Sequence, residues 1–169
     1  MRESANTSIQ KAKALTAFSR YANYWRHYLT RASSRRLGCL AMIILDTHIW
    51  VRWSCNDLSN SITSKIERAS SVCVSAISCW EIAYLAKRGR LDLGIPFKEW
   101  FHEALDQSGI TLLPLDGDIA RIAAELPDHH RDPSDRFIIA TAISYNAKII
   151  SFDSQFPAYR ELKNKLIFN

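Results

Sequence analysis

Acidic side chains stand where apolar segments end or begin. Asp46 directly follows the apolar run IIL, and Asp153 follows IISF. Asp132 and Asp135 enclose Pro133 in RDPSDR, immediately before the apolar run FIIATA. Asp132 is a typical helix N-cap and Pro133 suits the first helical position, so this pattern predicts a helix start. Capping accounts for Asp132 and leaves Asp135 only partly explained.

Asp135 and Glu81 have apolar neighbours at helical spacing. At three, four or seven positions along the predicted helices, these neighbours are Ile77, Tyr84 and Leu85 for Glu81, and Ile138, Ile139 and Ala142 for Asp135. A carboxylate on an apolar helical stripe is costly unless a positive charge neutralises it. For Glu81 the alternatives are a buried arginine partner or a position at the rim of the stripe.

The acidic positions together predict a divalent-metal site. In open α/β sheets the functional crevice lies beyond the carboxyl ends of the strands, where Asp46 and Asp153 are expected. Carboxylates that converge there repel one another and raise their own pKa values unless a cation is bound. Oxygen ligands favour Mg²⁺ or Mn²⁺, whereas zinc favours His or Cys. Taken singly, each strand-end aspartate is explained as well by a turn or a helix cap as by a metal site.

Two histidines and three tryptophans offer further chemistry. His129 and His130 lie in LPDHHR, which predicts a polar loop. We do not expect them to bind a metal, because adjacent residues rarely point to one ion. Trp50, Trp53 and Trp80 could stack on nucleic-acid bases, but aromatic residues at helical spacing are more often core, and we predict that role for them.

Apolar runs alternate with helical patterns from Met42 onward. Strands are predicted at 42–45, 71–76, 110–115 and 148–152, with a weaker one at 166–168. Helices are predicted at 60–70, 77–88, 96–107, 116–126 and 133–146. Strands that are apolar on both faces and separated by helices predict an α/β fold. We expect a central, mainly parallel sheet of four to five strands flanked by helices.

The positive charge of the chain is concentrated at its N-terminus. Residues 1–41 contain eight Lys or Arg and one acid, a net charge of +7, whereas residues 42–169 contain 14 basic and 16 acidic residues, a net charge of −2. We interpret 42–169 as the domain and 1–41 as a disordered tail or a mis-annotated start. A transit peptide and a basic RNA-binding arm remain alternatives for this leader.

The cysteines and the hydropathy indicate a soluble cytoplasmic protein. No CxxC pair or metal-finger spacing connects the four cysteines, which we therefore expect to be reduced thiols: Cys39, Cys55, Cys73 and Cys79. No uninterrupted apolar run approaches the roughly 20 residues of a membrane-spanning helix.

Four segments occur in a characteristic order: MIILDTHIW, SAISCWEIAYLAKRGRLDL, LPDHHRDPSDRFIIATA and KIISFDSQFPAY. In type and order they resemble the PIN-domain ribonucleases, specifically the VapC toxins of bacterial toxin–antitoxin pairs. The resemblance covers residues 42–159 and implies a PIN-like three-layer fold. It implies catalytic and metal-binding roles for Asp46, Glu81, Asp135 and Asp153, with Asp132 as a further acidic ligand and Thr47 as a supporting hydroxyl.

The resemblance also implies a reaction and partners. The reaction would be hydrolysis of RNA phosphodiester bonds with Mg²⁺ or Mn²⁺, and the partners would be a VapB-type antitoxin and a second copy of the chain. Since residues 42–169 are net negative, local basic residues must contact the RNA, and the candidates are Lys87, Arg88, Arg90, Arg131 and Arg136. The competing interpretation is a catalytically inactive PIN-like module that binds RNA or protein.

Overall fold

The computed structural model describes residues 42–167. The predictions for residues 1–41 and for Cys39 lie outside the described residues. The strands are β1 (Met42–Leu45), β2 (Ser71–Ser75), β3 (Thr111–Leu113), β4 (Lys148–Ile150) and β5 (Leu166–Ile167). The α-helices are α1 (Thr47–Ser54), α2 (Asn60–Glu67), α3 (Ala76–Lys87), α4 (Phe97–His102), α5 (Gly117–Glu125) and α6 (Pro133–Ser144).

The five strands form one parallel sheet in the order β3-β2-β1-β4-β5. In the register, Ile44 of β1 pairs with Cys73 of β2 on one side and with Ile149 of β4 on the other. The chain moves outward from β1 through β2 to β3, then returns to the other side of β1 for β4. This confirms the predicted α/β class and places a topological switch point between β1 and β4.

Successive residues of the central strands enter separate cores on the two faces of the sheet. Ile43 and Leu45 pack into one core with Trp50 and Trp53 of α1. Ile44 faces the opposite core, which contains apolar side chains of α6. The three-layer arrangement follows because the central strands β1, β2 and β4 are buried on both faces. Trp50 and Trp53 are core residues, as predicted.

The structure adds one helix that the sequence did not predict. Helix α1 begins one residue after β1 ends, and it directs Ile49, Trp50 and Trp53 into the core. Because only Asp46 separates β1 from α1, the eight residues of α1 are easily interpreted from sequence as a continuation of the strand. The predicted helix at 96–107 also differs, because it continues from α4 into a π-helical turn at Glu103–Gln107.

Three cysteines lie within the described residues, and all are free thiols. Cys73 is buried, and burial raises its pKa above the ordinary value. Burial likewise raises the pKa of Cys79 to about 12, which keeps this thiol protonated. In residues 42–167, no helix combines the length and the apolar character needed to cross a membrane.

Candidate active site

The acid pocket, which we define as Asp46, Glu81, Asp132, Asp135 and Asp153, lies at the switch point of the sheet. Asp46 directly follows β1, and its backbone N–H donates to the carbonyl of Ile150 in β4 (3.1 Å). Asp153 follows β4 after two further residues. The two neighbouring strands therefore deliver both carboxylates to the same edge, where open α/β sheets place their ligands.

Asp46 is buried with its side chain available to the pocket. The residue is 3% exposed and occupies the N-cap position of α1, yet its carboxylate makes no capping hydrogen bond. The Ser151 hydroxyl donates to Asp46 Oδ2 (2.6 Å) and also accepts the backbone N–H of Asp153 (3.0 Å). Burial raises the pKa of Asp46, and the Ser151 hydrogen bond only partly offsets that rise. Helix capping therefore does not explain Asp46.

Glu81 projects from α3 toward Asp46. Burial raises the pKa of Glu81, the Thr47 hydroxyl beside it acts in the opposite direction, and the negative charges of Asp46 and Asp132 raise it further. The apolar neighbours predicted for Glu81 lie at the boundary of the protein, since Tyr84 is exposed. The rim position weighed in the sequence analysis is thus the one observed, although Glu81 Oε2 itself is buried.

Asp135 is another carboxyl of the pocket with a raised pKa. It lies in the first turn of α6, and its side chain is 15% exposed. Burial raises its pKa to about 7, the nearby His130 lowers it, and the charges of Asp46, Glu81 and Asp132 raise it. The four carboxyl groups therefore interact, as the sequence analysis anticipated.

Asp132 and Asp153 also have local structural roles. Asp132 is exposed, and its carboxylate caps α6 by accepting the N–H of Ser134 (2.9 Å). Asp153 Oδ1 accepts the N–H of Gln155 (2.7 Å) and forms a turn there. Each therefore has one role in the backbone and a second position at the edge of the pocket.

His130 occupies a position that the sequence did not predict. Its Nδ1 lies 3.1 Å from Asp135 Oδ2, and its Nε2 lies 3.2 Å from Asp153 Oδ2. The Tyr159 hydroxyl accepts the His130 backbone N–H (2.9 Å) and fixes the loop. His130 lies in a loop, as predicted, but one ligand atom from each of His130, Asp135 and Asp153 lies within 4.8 Å of the others, a grouping that the sequence did not indicate.

The donor set fits a divalent cation. Among the described residues, Asp46 Oδ1 and Glu81 Oε2 are buried oxygens without a protein hydrogen-bond partner. Buried oxygens of this kind are costly unless an ion or water satisfies them. No arginine or lysine forms an ion pair with these carboxylates within the described residues, so the protein itself leaves their charge largely uncompensated.

One of the predicted RNA-binding side chains has its donors occupied within the protein. Arg136 does not present its guanidinium to solvent beside the acids, because it donates to backbone carbonyls at the C-terminal end of α5, those of Ala123, Ala124, Leu126 and Pro127. It also pairs with Asp128 (3.2 Å). All donors of this side chain therefore serve to join α6 to α5.

The other basic candidates are exposed. Arg131 lines an open cleft of about 760 Å³ together with His130, Asp132 and Gln155. Lys87, Arg88 and Arg90 lie at the C-terminal end of α3 and beyond it. All four of these side chains are accessible to a polyanion.

Trp80 departs from its predicted role. We expected it in the core with Trp50 and Trp53, but it is 56% exposed and stacks on Tyr84. The buried face of α3 carries Ser78 and Ile82 instead. Successive side chains on a helix point about 100° apart, and the spacing of apolar residues in the sequence did not show which face of α3 is buried.

These observations define the class of the protein: a parallel α/β fold with a carboxylate pocket at the switch point of its sheet. The PIN domain family profile matches residues 43–162. Ribonuclease VapC22 of Mycobacterium tuberculosis (strain ATCC 25618 / H37Rv) is 31% identical over 124 residues, which cover 72% of this chain and 94% of that protein. The chain belongs to the PIN domain family.

Solved structures share the fold at low sequence identity. VapBC2 from Rickettsia felis, bound to a DNA fragment from their promoter, aligns with a TM-score of 0.58 and 17% identity over 75% of this chain and 98% of that chain. A toxin–antitoxin complex from Klebsiella pneumoniae aligns with a TM-score of 0.52 and 16% identity over 74% and 95% of the two chains. The likeness agrees with the fold predicted from sequence.

Proposed function

We propose that this chain is a divalent-metal-dependent endoribonuclease toxin that is held inactive by a VapB-type antitoxin. The observation that carries the proposal is a pair of buried oxygens that no protein donor satisfies, Asp46 Oδ1 and Glu81 Oε2, together with Asp135, whose pKa the charges of both residues raise. Membership of the PIN domain family and the likeness to Ribonuclease VapC22 support the choice of RNA as substrate.

The pocket residues would bind a cation from two depths. Asp46, Glu81 and Asp135 would hold Mg²⁺ or Mn²⁺ from the deepest part of the pocket, and Asp132 and Asp153 would complete the set from its edge. When bound, such an ion supplies positive charge against the scissile phosphate and lowers the pKa of water. Ser151 orients Asp46, and Thr47 lies beside Glu81.

The remaining residues handle the substrate. Exposed Arg131 is placed to contact a phosphate of an RNA that enters the cleft next to the acids. The reaction needs no covalent nucleophile from the protein, since the water attacks the phosphorus in line with the leaving 3′ oxygen.

Substitution of Asp46 tests the enzyme directly. The Asp46→Asn variant of the full chain should cleave single-stranded RNA at least about 100-fold more slowly in Mg²⁺ or Mn²⁺, because several kcal/mol of transition-state stabilisation depend on the ion. Asp118→Asn is the matched control, as Asp118 is an exposed acid on α5. Equal cleavage by the Asp46→Asn protein, or equal cleavage in chelator, overturns the proposal; RNA binding by a wild-type chain that never cleaves favours the inactive module.

The antitoxin proposal rests on charge and on the two solved relatives, one titled VapBC2 and the other a toxin–antitoxin complex. An arginine from an antitoxin segment would neutralise the acid pocket in place of a cation. We expect the product of a neighbouring gene to co-purify with the chain and to block both Mn²⁺ binding and cleavage. Light scattering of the free chain tests the proposed homodimer.

A further inference from the structure

Two side chains of α3 and that of its C-cap residue form an exposed stack. Trp80 is 56% exposed and Tyr84 is 39% exposed. Their rings are nearly parallel, with an interplanar angle of 14° and 5.2 Å between centroids. The Arg88 guanidinium lies over the Tyr84 ring, 5.0 Å from its centroid. The residues recur every four positions, so the stack follows the helix axis.

The stack begins beside Glu81 in the sequence. Trp80 immediately precedes Glu81, Tyr84 follows Glu81 by three positions on α3, and Arg88 follows by seven at the C-cap of that helix. At about 100° and 1.5 Å per residue, Tyr84 and Arg88 lie within about 60° of the Glu81 direction, and the stack extends for about 12 Å. A strand of RNA cut at the pocket would therefore pass along it.

The chemistry of the stack favours nucleic acid over an apolar protein surface. Lys87, Arg88 and Arg90 are all exposed at its far end, although residues 42–169 carry a net charge of −2. Flat rings interleaved with cations bind bases through stacking and phosphates through charge. The pairing of Arg88 with Tyr84 and of Tyr84 with Trp80 also restrains the rings before any ligand arrives, which lowers the entropy cost of binding.

We propose that Trp80, stacked on Tyr84 and Arg88, is a base-stacking platform that holds single-stranded RNA beside the acid pocket. A base placed on the indole extends the stack, while Lys87 and Arg90 contact the phosphates that follow. This inference rests on the proposed ribonuclease function and names how the same site recognises a single strand.

Binding to a fixed oligonucleotide tests the platform. The probe is a fluorescently labelled 12-nucleotide single-stranded oligoadenylate, measured with the full chain carrying Asp46→Asn so that it is not cut. Adding Trp80→Ala should weaken binding about tenfold or more, whereas Trp80→Phe should stay within about threefold because a ring is retained. Tyr145→Ala is the control, since Tyr145 is also exposed but lies at the C-terminal end of α6.

Cleavage by the chain with an intact acid pocket separates the two proposals. Trp80→Ala should raise KM about tenfold and change kcat by less than about threefold. If the wild-type chain does not cleave RNA, the proposed function fails. If it cleaves and the Trp80→Ala chain keeps the wild-type KM and affinity, the platform alone is overturned.

Two further outcomes assign the stack to another occupant. A Trp80→Ala chain that binds RNA normally but changes from dimer to monomer in light scattering overturns the platform in favour of a second copy of the chain. Normal RNA binding with loss of the antitoxin overturns it in favour of a protein partner. Lys87→Gln should reduce the slope of log affinity against log salt by about 0.7, because Lys87 is proposed to contact a phosphate, and an unchanged slope contradicts that contact.

Discussion

Asp135 ionises in competition with the other carboxyl groups of the pocket. Its pKa is raised to about 7, chiefly by burial and further by the charges of Asp46, Glu81 and Asp132. His130 partly offsets it, with Nδ1 at 3.1 Å from the carboxylate. A bound cation would favour the ionised form, so cation binding and proton release from this pocket are coupled.

The first prediction is a pH-dependent metal affinity. As the pH rises toward about 7, the affinity of the full chain for Mn²⁺ should increase at least about tenfold per pH unit, because the ion must displace a proton from Asp135. Above that pH the affinity should level off. Calorimetric titration between about pH 5.5 and 8.5 measures it. Asp135→Asn should bind more weakly and with a shallower slope; a wild-type affinity independent of pH would contradict the coupling.

The second prediction concerns stability without metal. The folded pKa of Asp135 is raised, to about 7 from 3.8, so between these values the folded state holds a proton that the unfolded state has lost. Its contribution to the free energy of unfolding therefore falls as the pH rises through this window. In chelator, Asp135→Asn should melt about 3–8 °C above the wild type at pH 8 and show little gain near pH 4. A gain independent of pH would point to packing instead.

The third prediction separates orientation from charge. Ser151 donates to Asp46 Oδ2 at 2.6 Å, so Ser151→Ala should lower the affinity for Mn²⁺ about 10-fold by leaving Asp46 free to turn. Ser154→Ala, an exposed change three residues later, is the control. Calorimetry and thermal melting are measured together, and equal Mn²⁺ affinity in both variants would remove Ser151 from the site.

At the scale of elements, the sequence predicted what burial and periodicity determine. All five strands were predicted from their apolar runs, and the three central ones are buried on both faces. The boundaries of α6 were close as well, because Asp132 and Pro133 start it by a mechanism that acts locally. Helix α1 was missed, as it follows β1 with a single residue between them.

Side-chain direction was the harder problem at this scale. Glu81 and Asp135 were found because an acid among apolar helical neighbours needs a partner. The position of His130 depends on Tyr159, which is 29 residues away, and no local pattern carries that contact. Trp80 was assigned wrongly, since the sequence does not show which helix face meets solvent, and the contacts of Arg136 with α5 were not predicted. Among the site residues that were not predicted, Ser151 did carry a local signal in the sequence, since its hydroxyl lies two residues before Asp153.

The fourth prediction belongs to the contact between α5 and α6. Arg136→Lys should lower the free energy of unfolding by about 2–3 kcal/mol, because an ammonium group cannot satisfy the backbone carbonyls that the guanidinium serves. Urea denaturation measures the loss. Arg131→Lys is the matched control, with an exposed side chain and no expected change in stability. Equal stability of both variants would show that the contact is dispensable.

At the scale of the whole molecule, charge is divided between two segments of opposite sign. Residues 1–41 carry +7 and residues 42–169 carry −2, while the family match begins at residue 43. The acid pocket and its supporting contacts all lie in the second segment. On charge alone, we expect long-range attraction for RNA to come from residues 1–41 and the chemistry from residues 42–169.

The fifth prediction tests that division. A chain of residues 42–169 should keep the kcat of the full chain, because every element of the pocket is present. Its affinity for RNA should depend less on salt, since each phosphate contact contributes about 0.7 to the slope of log affinity against log salt for single strands. A full-length variant with the eight basic residues of 1–41 changed to Gln keeps the length and removes the charge. Both should show the reduced slope, and a loss of kcat in the shortened chain alone would mean that residues 1–41 support the pocket itself.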